Sequence, residues 1–293
     1  MEPSDADASL NVLLVHVWYW PHLGGGNQHV EHIARQLENY RVFLAPFELR
    51  HYFHVSLESH PNLQAELTAF AESEGHSIVF TERRQPTWRP CTAYALCELI
   101  KTVLADHHSH DKVLIHTDTD LLVSPKAKDQ LQNHRIGCGN NSFKSGNNRW
   151  KWTAKAKADP RLKRFTQEMF NGDRSKLRKG RVCGAYMPWS VFKTFGIVYN
   201  YYFKHSFLKK NPQYIWPVTE IAIPSILHLL EDQDTSFQPP LITVPKEKKV
   251  SCKSIDRIIE RRDSFGLKKI ARDTDSDAFH YVMRLQAQAA GEA

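Results

Sequence analysis

The sequence predicts an α/β fold in which a mostly parallel central sheet is flanked by helices and followed by an irregular, basic half. Three observations predict it. Short apolar runs such as NVLLVHVW (Asn11 to Trp18) and KVLIH (Lys112 to His116) have the composition of strands buried on both faces. Between them lie stretches with apolar residues at helical spacing, the alternation that builds a parallel sheet. After Pro125 the pattern turns polar, glycine-containing and rich in lysine and arginine.

Taken in order, residues 1–10 (MEPSDADASL) are acidic and lack an apolar run, so a loose tail is expected and no signal peptide. Asn11 to Trp18 is the first strand. Tyr19 to Leu23 and then Gly24, Gly25 and Gly26 form a loop that permits unusual dihedrals. His29 to Asn39 places Val30, Ile33, Ala34 and Leu37 on one helical face. A glycine loop between strand and helix presents backbone amides to phosphate. This one matches neither G-x-G-x-x-G nor a P-loop, so a plain connection stands beside that reading. Arg41 to Phe47 is expected as the second strand. Asn62 to Ser73 is the next helix, with Leu63, Leu67 and Phe70 on one face and Gly75 as its stop. His76 to Thr81, Thr92 to His107 and Lys112 to His116 complete the series as strand, helix and strand. Right-handed crossovers then bring Trp18 to Gly26, Glu48, Glu82 and an acidic pair to one edge, where ligands of open α/β sheets sit.

The acidic pair is Asp118 and Asp120, flanking Thr119 directly after the fourth strand. Two carboxylates this close repel each other and lose hydration, so they call for a cation or a set of donors between them. A hard divalent ion bridging diphosphate oxygens suits the place. An ordinary turn, with each carboxylate bonding backbone two residues on, is the competing account.

The length of 293 residues suits one α/β domain or two small ones, and 41% hydrophobic with 24% charged residues are globular values. Five cysteines without a C-x-x-C pair argue against a disulfide framework and a zinc site. No run of eighteen apolar residues occurs, so a soluble cytoplasmic protein is expected. The net charge of +7 is concentrated between Phe143 and Val182, where thirteen Lys and Arg face Asp159, Glu168 and Asp173, which makes that segment a local device for an anionic partner.

An alternating half that ends in a strand followed by D-x-D resembles the nucleotide half of the Rossmann-like GT-A glycosyltransferases. The resemblance covers residues 11 to 125 by architecture and three short stretches beyond. It implies a nucleotide-diphosphate sugar as donor and Mn2+ (or Mg2+) as cofactor. Asp120 is then in direct metal contact, and Asp118 contacts the ribose or metal-bound water. The first stretch beyond is GRVCGAYMPWSVFKTFG, Gly180 to Gly196, in which Gly184, Met187, Val191, Phe192 and Gly196 are similar to a pattern that floors the donor-sugar site of inverting members. A buried strand and helix start is the plain alternative. The second is WPVTEIAIPSILHLL, Trp216 to Leu230. Pro224 suits a first helical turn, so a helix from near Pro224 is expected, with Glu220 on the loop leading in. Inverting GT-A enzymes carry an acidic pair here whose second acid is the general base. This chain has Thr219 and Glu220, which leaves that role to Glu220, against the alternative of a carboxylate capping helix amides. The third stretch is DTDSDAFHYVMR, where His280 stands at the place of a histidine that many GT-A enzymes recruit as third metal ligand.

These readings give 11–125 as the nucleotide-sugar-binding half of a single domain, with Trp18, Glu48, Glu82, Asp118 and Gly184 contacting the donor. Residues 126–285 are the acceptor-binding and catalytic half, and 286–293 a second tail. The expected activity is transfer of a sugar to the hydroxyl of a glycan, lipid-linked or other anionic acceptor, with inversion, and peripheral membrane contact through the 143–182 stretch. A nucleotidyltransferase is one alternative, though Trp20 to Asn27 lacks the basic signature of its first loop. A basic nucleic-acid or polyanion binder is the other, with Trp150 and Trp152 among lysines in its favour. The first loop and HVEHIARQL also resemble the amino-terminal half of GT-B enzymes, but a second half of the usual size does not fit the remaining residues.

Overall fold

The computed structural model describes residues 11–17, 28–57, 59–86, 93–117, 120–143, 150–231, 235–245, 250–261, 264–268, 270 and 274–291. The first elements are β1 (Asn11–Val17), α1 (Gln28–Phe43), β2 (Glu48–His54), α2 (Leu63–Glu74), β3 (Ser77–Phe80), α3 (Ala93–Ala105) and β4 (Lys112–Thr117). There follow β5 (Asp120–Leu122), α4 (Lys126–Asn133), β6 (Ile136–Gly137), β7 (Asn141–Ser142), α5 (Thr153–Ala158), α6 (Pro160–Phe170), β8 (Arg178–Lys179), β9 (Ala185–Pro188), α7 (Trp189–Tyr202) and α8 (His205–Lys210). The chain closes with α9 (Thr219–Leu230), β10 (Phe237–Gln238), β11 (Ile242–Thr243), α10 (Cys252–Arg261), β12 (Gly266–Lys268) and α11 (Asp277–Ala290).

The architecture is α/β, as the sequence predicts. A seven-stranded sheet runs in the order β10-β6-β9-β4-β1-β2-β3 and is parallel except at β9. The chain winds outward from β1 through β2 to β3, then returns to lay β4 on the other side of β1. The winding thus reverses between β1 and β4, the switch point at which open α/β sheets bind ligands. The register Val17↔Thr117 puts both strand ends at that switch point.

The second strand departs from expectation. Arg41 to Phe43 continue α1, and the strand runs Glu48–His54 instead. The physical reason lies in burial: Ile33, Leu37, Tyr40 and Leu44 are all 0% exposed at helical spacing, so the helix gains a further apolar turn. The strand was obscured because its interior includes His51 and His54, which read as polar yet are buried.

The half after Pro125 is more regular than its composition suggests. Its β6, β9 and β10 join the main sheet, and α6, α7 and α9 pack Phe165, Phe192, Tyr199 and Ile221, with Trp216 just before α9, into the same core as Leu96, Ile100 and Val113 of the first half. Two of its charges are interior: Asp159 caps α6 by accepting from the Arg161 amide at 2.9 Å, and the Arg161 guanidinium closes on it at 2.6 Å. The indole of Trp216 also donates to Asp159, at 2.8 Å. A cation held this way has its charge compensated inside the fold and is no part of a surface field.

Buried histidines set an acid limit on this fold. Burial lowers His54 to about 4 and His116 to about 3, and His51 is pushed down by the same cause. The native state therefore holds these rings neutral while the unfolded chain binds protons below about 6.5, so stability falls as pH drops from there toward about 4 and 3. Between pH 7 and pH 5 the loss is roughly 2 kcal/mol per histidine. Urea unfolding followed across that range is expected to show a falling midpoint, and a flat one would mean that the rings take up protons within the fold.

Candidate active site

At the switch point β4 ends on Thr117, and the chain resumes at Asp120, the first residue of β5. Asp120 is 0% exposed. Its carboxylate is held from within: one oxygen accepts from the Thr117 amide at 2.8 Å and the other from the Thr117 hydroxyl at 3.0 Å. β5 leaves the main sheet and pairs antiparallel with β12, in a register that sets Lys268 directly opposite Asp120. The Lys268 ammonium donates to Thr117 Oγ1 at 2.7 Å and to Cys183 Sγ at 3.0 Å, and stands 3.9 Å from the Asp120 carboxylate. Burial raises the Cys183 thiol, and the nearby ammonium opposes that rise only in part.

A second acid faces the same cations. Glu220 lies in the first turn of α9, which begins at Thr219 and carries Pro224 inside it. This corrects the expected start near Pro224, and the proline has a specific effect. It lacks the amide that would bond the carbonyl four residues back, which is that of Glu220. The amide of Gly180 takes the freed carbonyl at 2.9 Å. A Cβ on Gly180 would sit 2.3 Å from the Gly139 carbonyl oxygen, so bare backbone here serves the crossing with the chain at Gly139. The next residue, Arg181, bonds the Glu220 carboxylate at 2.8 Å, with side-chain exposures of 62% and 17%. Burial raises the Glu220 carboxyl above its usual range, against the pull of Arg181, Lys179 and Lys268. Lys179 also lies 5.0 Å from the Trp150 ring centroid, while Lys151 and Lys155 lie over Trp152 at 5.0 and 5.6 Å. A strip of cations on aromatic faces thus leads away from Glu220.

The other sequence candidates are placed as follows. Trp18 and Asp118 lie outside the described residues. Glu48 opens β2 at the level of Asn11 and is therefore at the amino edge, opposite the edge that carries Thr117. It leaves the donor-binding set, a consequence of the shifted strand. Glu82 is exposed just beyond the carboxyl end of β3. Gly184 is buried with φ +77°, its amide donates to Ile115 at 2.7 Å, and a Cβ there would meet the Ile242 amide at 2.3 Å. Its smallness thus serves the crossing of β9 by the chain before β11. His280 is exposed on α11, with its ring against Phe279, and no described contact joins it to Asp120. Lys268 and Arg181 were not singled out from sequence. Each becomes legible only once a strand pairing or a helix packing brings it to its acid.

No protein-family model matches the sequence, and no curated protein does. Solved structures of similar fold include the following three. One is the galactosyltransferase LgtC in complex with donor and acceptor sugar analogs, at TM-score 0.47 and 12% identity over 94% of this chain and 95% of that one. An active-site mutant of LgtC gives 0.47 and 11% over the same shares. The bifunctional glycosyltransferase WbbM gives 0.47 and 8% over all of this chain and 52% of that one.

Asp120, the one acid of the pair among the described residues, is already engaged within the fold. Both oxygens of Asp120 already accept from Thr117, and an ammonium stands 3.9 Å away. Among the described residues no group of three His, Cys, Asp or Glu side chains is placed to hold a metal. The positive charge at this strand end comes from Lys268, and beside Glu220 from Arg181.

Proposed function

We propose that the protein is a glycosyltransferase that moves a sugar from a nucleotide-diphosphate donor to an acceptor hydroxyl. The observation that carries this reading is the bridge of Lys268 between Thr117 and Asp120 at the switch point. In the proposal the ammonium meets the diphosphate and takes up the negative charge that develops as the sugar departs. Arg181 and Lys179 extend the same field toward Glu220. Glu220, its proton affinity raised by burial, accepts the proton of the attacking hydroxyl. One displacement of this kind inverts the anomeric centre. Asp118 is the remaining acid for donor contact or for Mn2+ or Mg2+, and these steps use only the chain's own cations. Trp150 and Trp152 with their lysines suit a glycan or lipid-linked acceptor that is itself anionic. Among the described residues no helix is long and apolar enough to cross a membrane.

The same strip supports a second reading, a polyanion-binding protein. Thermal unfolding with UDP, GDP, CMP and dTDP species, each with manganese or with EDTA, separates the two. A nucleotide at one hundred times its Kd is expected to stabilise the fold by about 2.7 kcal/mol, a Tm rise of roughly 5 °C or more. Stabilisation by oligonucleotides alone favours the polyanion binder. Release of pyrophosphate in place of a nucleoside diphosphate on turnover would indicate nucleotidyl transfer.

A further inference from the structure

Helix α1 carries a polar pair on its buried face that no catalytic step above uses. Gln36 and Asn39 are both 0% exposed, among Ile33, Leu37 and Tyr40. The Gln36 amide nitrogen donates to the Thr117 carbonyl at 2.8 Å and to the Asp120 carbonyl at 2.7 Å. Two carbonyl partners fix the orientation of that amide, because only the NH2 group can donate to both. One side chain thus ties together the two backbone points that bracket positions 118 and 119. Asn39 does something different. It exchanges bonds with Leu122, receiving from its amide at 2.7 Å and donating to its carbonyl at 3.1 Å, and so pins the far end of β5. The Gln36 amide oxygen is buried with no partner among the described residues, so the two donor bonds are what hold the side chain among them.

We propose that Gln36 is the positioning residue of the Thr117–Asp120 contact. By fixing the separation of the Thr117 and Asp120 carbonyls it sets the Thr117 hydroxyl and amide against the Asp120 carboxylate. Lys268 is thereby aimed, since its ammonium is bonded to that same hydroxyl. The effect on ligand binding rests on the glycosyltransferase reading, whereas the effect on that contact does not.

The test compares Gln36→Met with Asn39→Leu, two near-isosteric changes on the same buried helix face, in the full chain at a temperature where both are folded. Residue-resolved amide exchange of the ligand-free protein is the first readout. In Gln36→Met the Thr117 amide, whose bond to Asp120 the clamp orients, is expected to exchange at least tenfold faster. Asn39→Leu is expected to speed Leu122 and leave Thr117 within about twofold. Calorimetric titration with the nucleoside diphosphate that stabilises the wild type is the second readout, expected to weaken at least tenfold in Gln36→Met and to stay within about twofold in Asn39→Leu. Equal Thr117 exchange in Gln36→Met and wild type overturns the proposal, as does an equal loss of protection at Thr117 in both variants. If no nucleoside diphosphate binds the wild type, the glycosyltransferase reading fails, and the exchange pattern still decides the clamp.

Discussion

Replacing Glu220 by glutamine is expected to leave nucleotide binding within about twofold while lowering kcat by two to four orders of magnitude, the span that general base catalysis contributes. The change keeps shape and keeps an oxygen for the Arg181 bond, so β8 and the two residues after it stay docked on α9. What it removes is the ability to take a proton. The wild-type kcat should fall toward acid along a limb set by a carboxyl raised above its usual range by burial, because only the deprotonated form is a base. That limb should vanish in Glu220→Gln, leaving a low and flat profile. A variant that turns over at the wild-type rate would remove Glu220 from the chemistry and leave it as the anchor of Arg181.

Replacing Lys268 by methionine should weaken a nucleoside diphosphate by about 30-fold, the equivalent of roughly 2 kcal/mol for losing a charged contact at a partly desolvated site. Methionine keeps an unbranched stem on β12, the strand between β5 and β11. The corresponding monophosphate should lose far less, since it lacks the group that the ammonium is proposed to meet. Equal losses for both nucleotides would show that Lys268 acts through the fold alone. Stability should fall as well, because Asp120 would remain fully buried with Thr117 as its neighbour and the ammonium gone.

Much of the framework was legible because local pattern and tertiary demand coincide. β1, α2, α3 and β4 have apolar residues at the period of their own element, and Gly75 at φ +70° ends α2 where its lack of a side chain predicts. The strand Glu48–His54 was not legible because burial of His51 and His54 overrides their polar character, and Glu48 was misplaced with it. Pro224 misled in the opposite sense. It sits inside α9 because the carbonyl it leaves free is taken by Gly180, a partner forty positions earlier in the chain. The acid positions could be read from spacing, but their cations could not. Lys268 reaches Asp120 only through the pairing of β5 with β12, and Arg181 reaches Glu220 only through the packing of β8 on α9. In the segment 143–182 the count of charges was informative, but it could not separate the interior Arg161 from the cations that face water.

The double attachment of Glu220, by main chain to Gly180 and by carboxylate to Arg181, makes the 178–181 ribbon and the head of α9 one mechanical unit. Trp150 touches the same ribbon through Lys179, whose ammonium lies 5.0 Å from its ring centroid. A change at Trp150 is thereby one cation–aromatic contact away from the stretch that holds the Glu220 carboxylate.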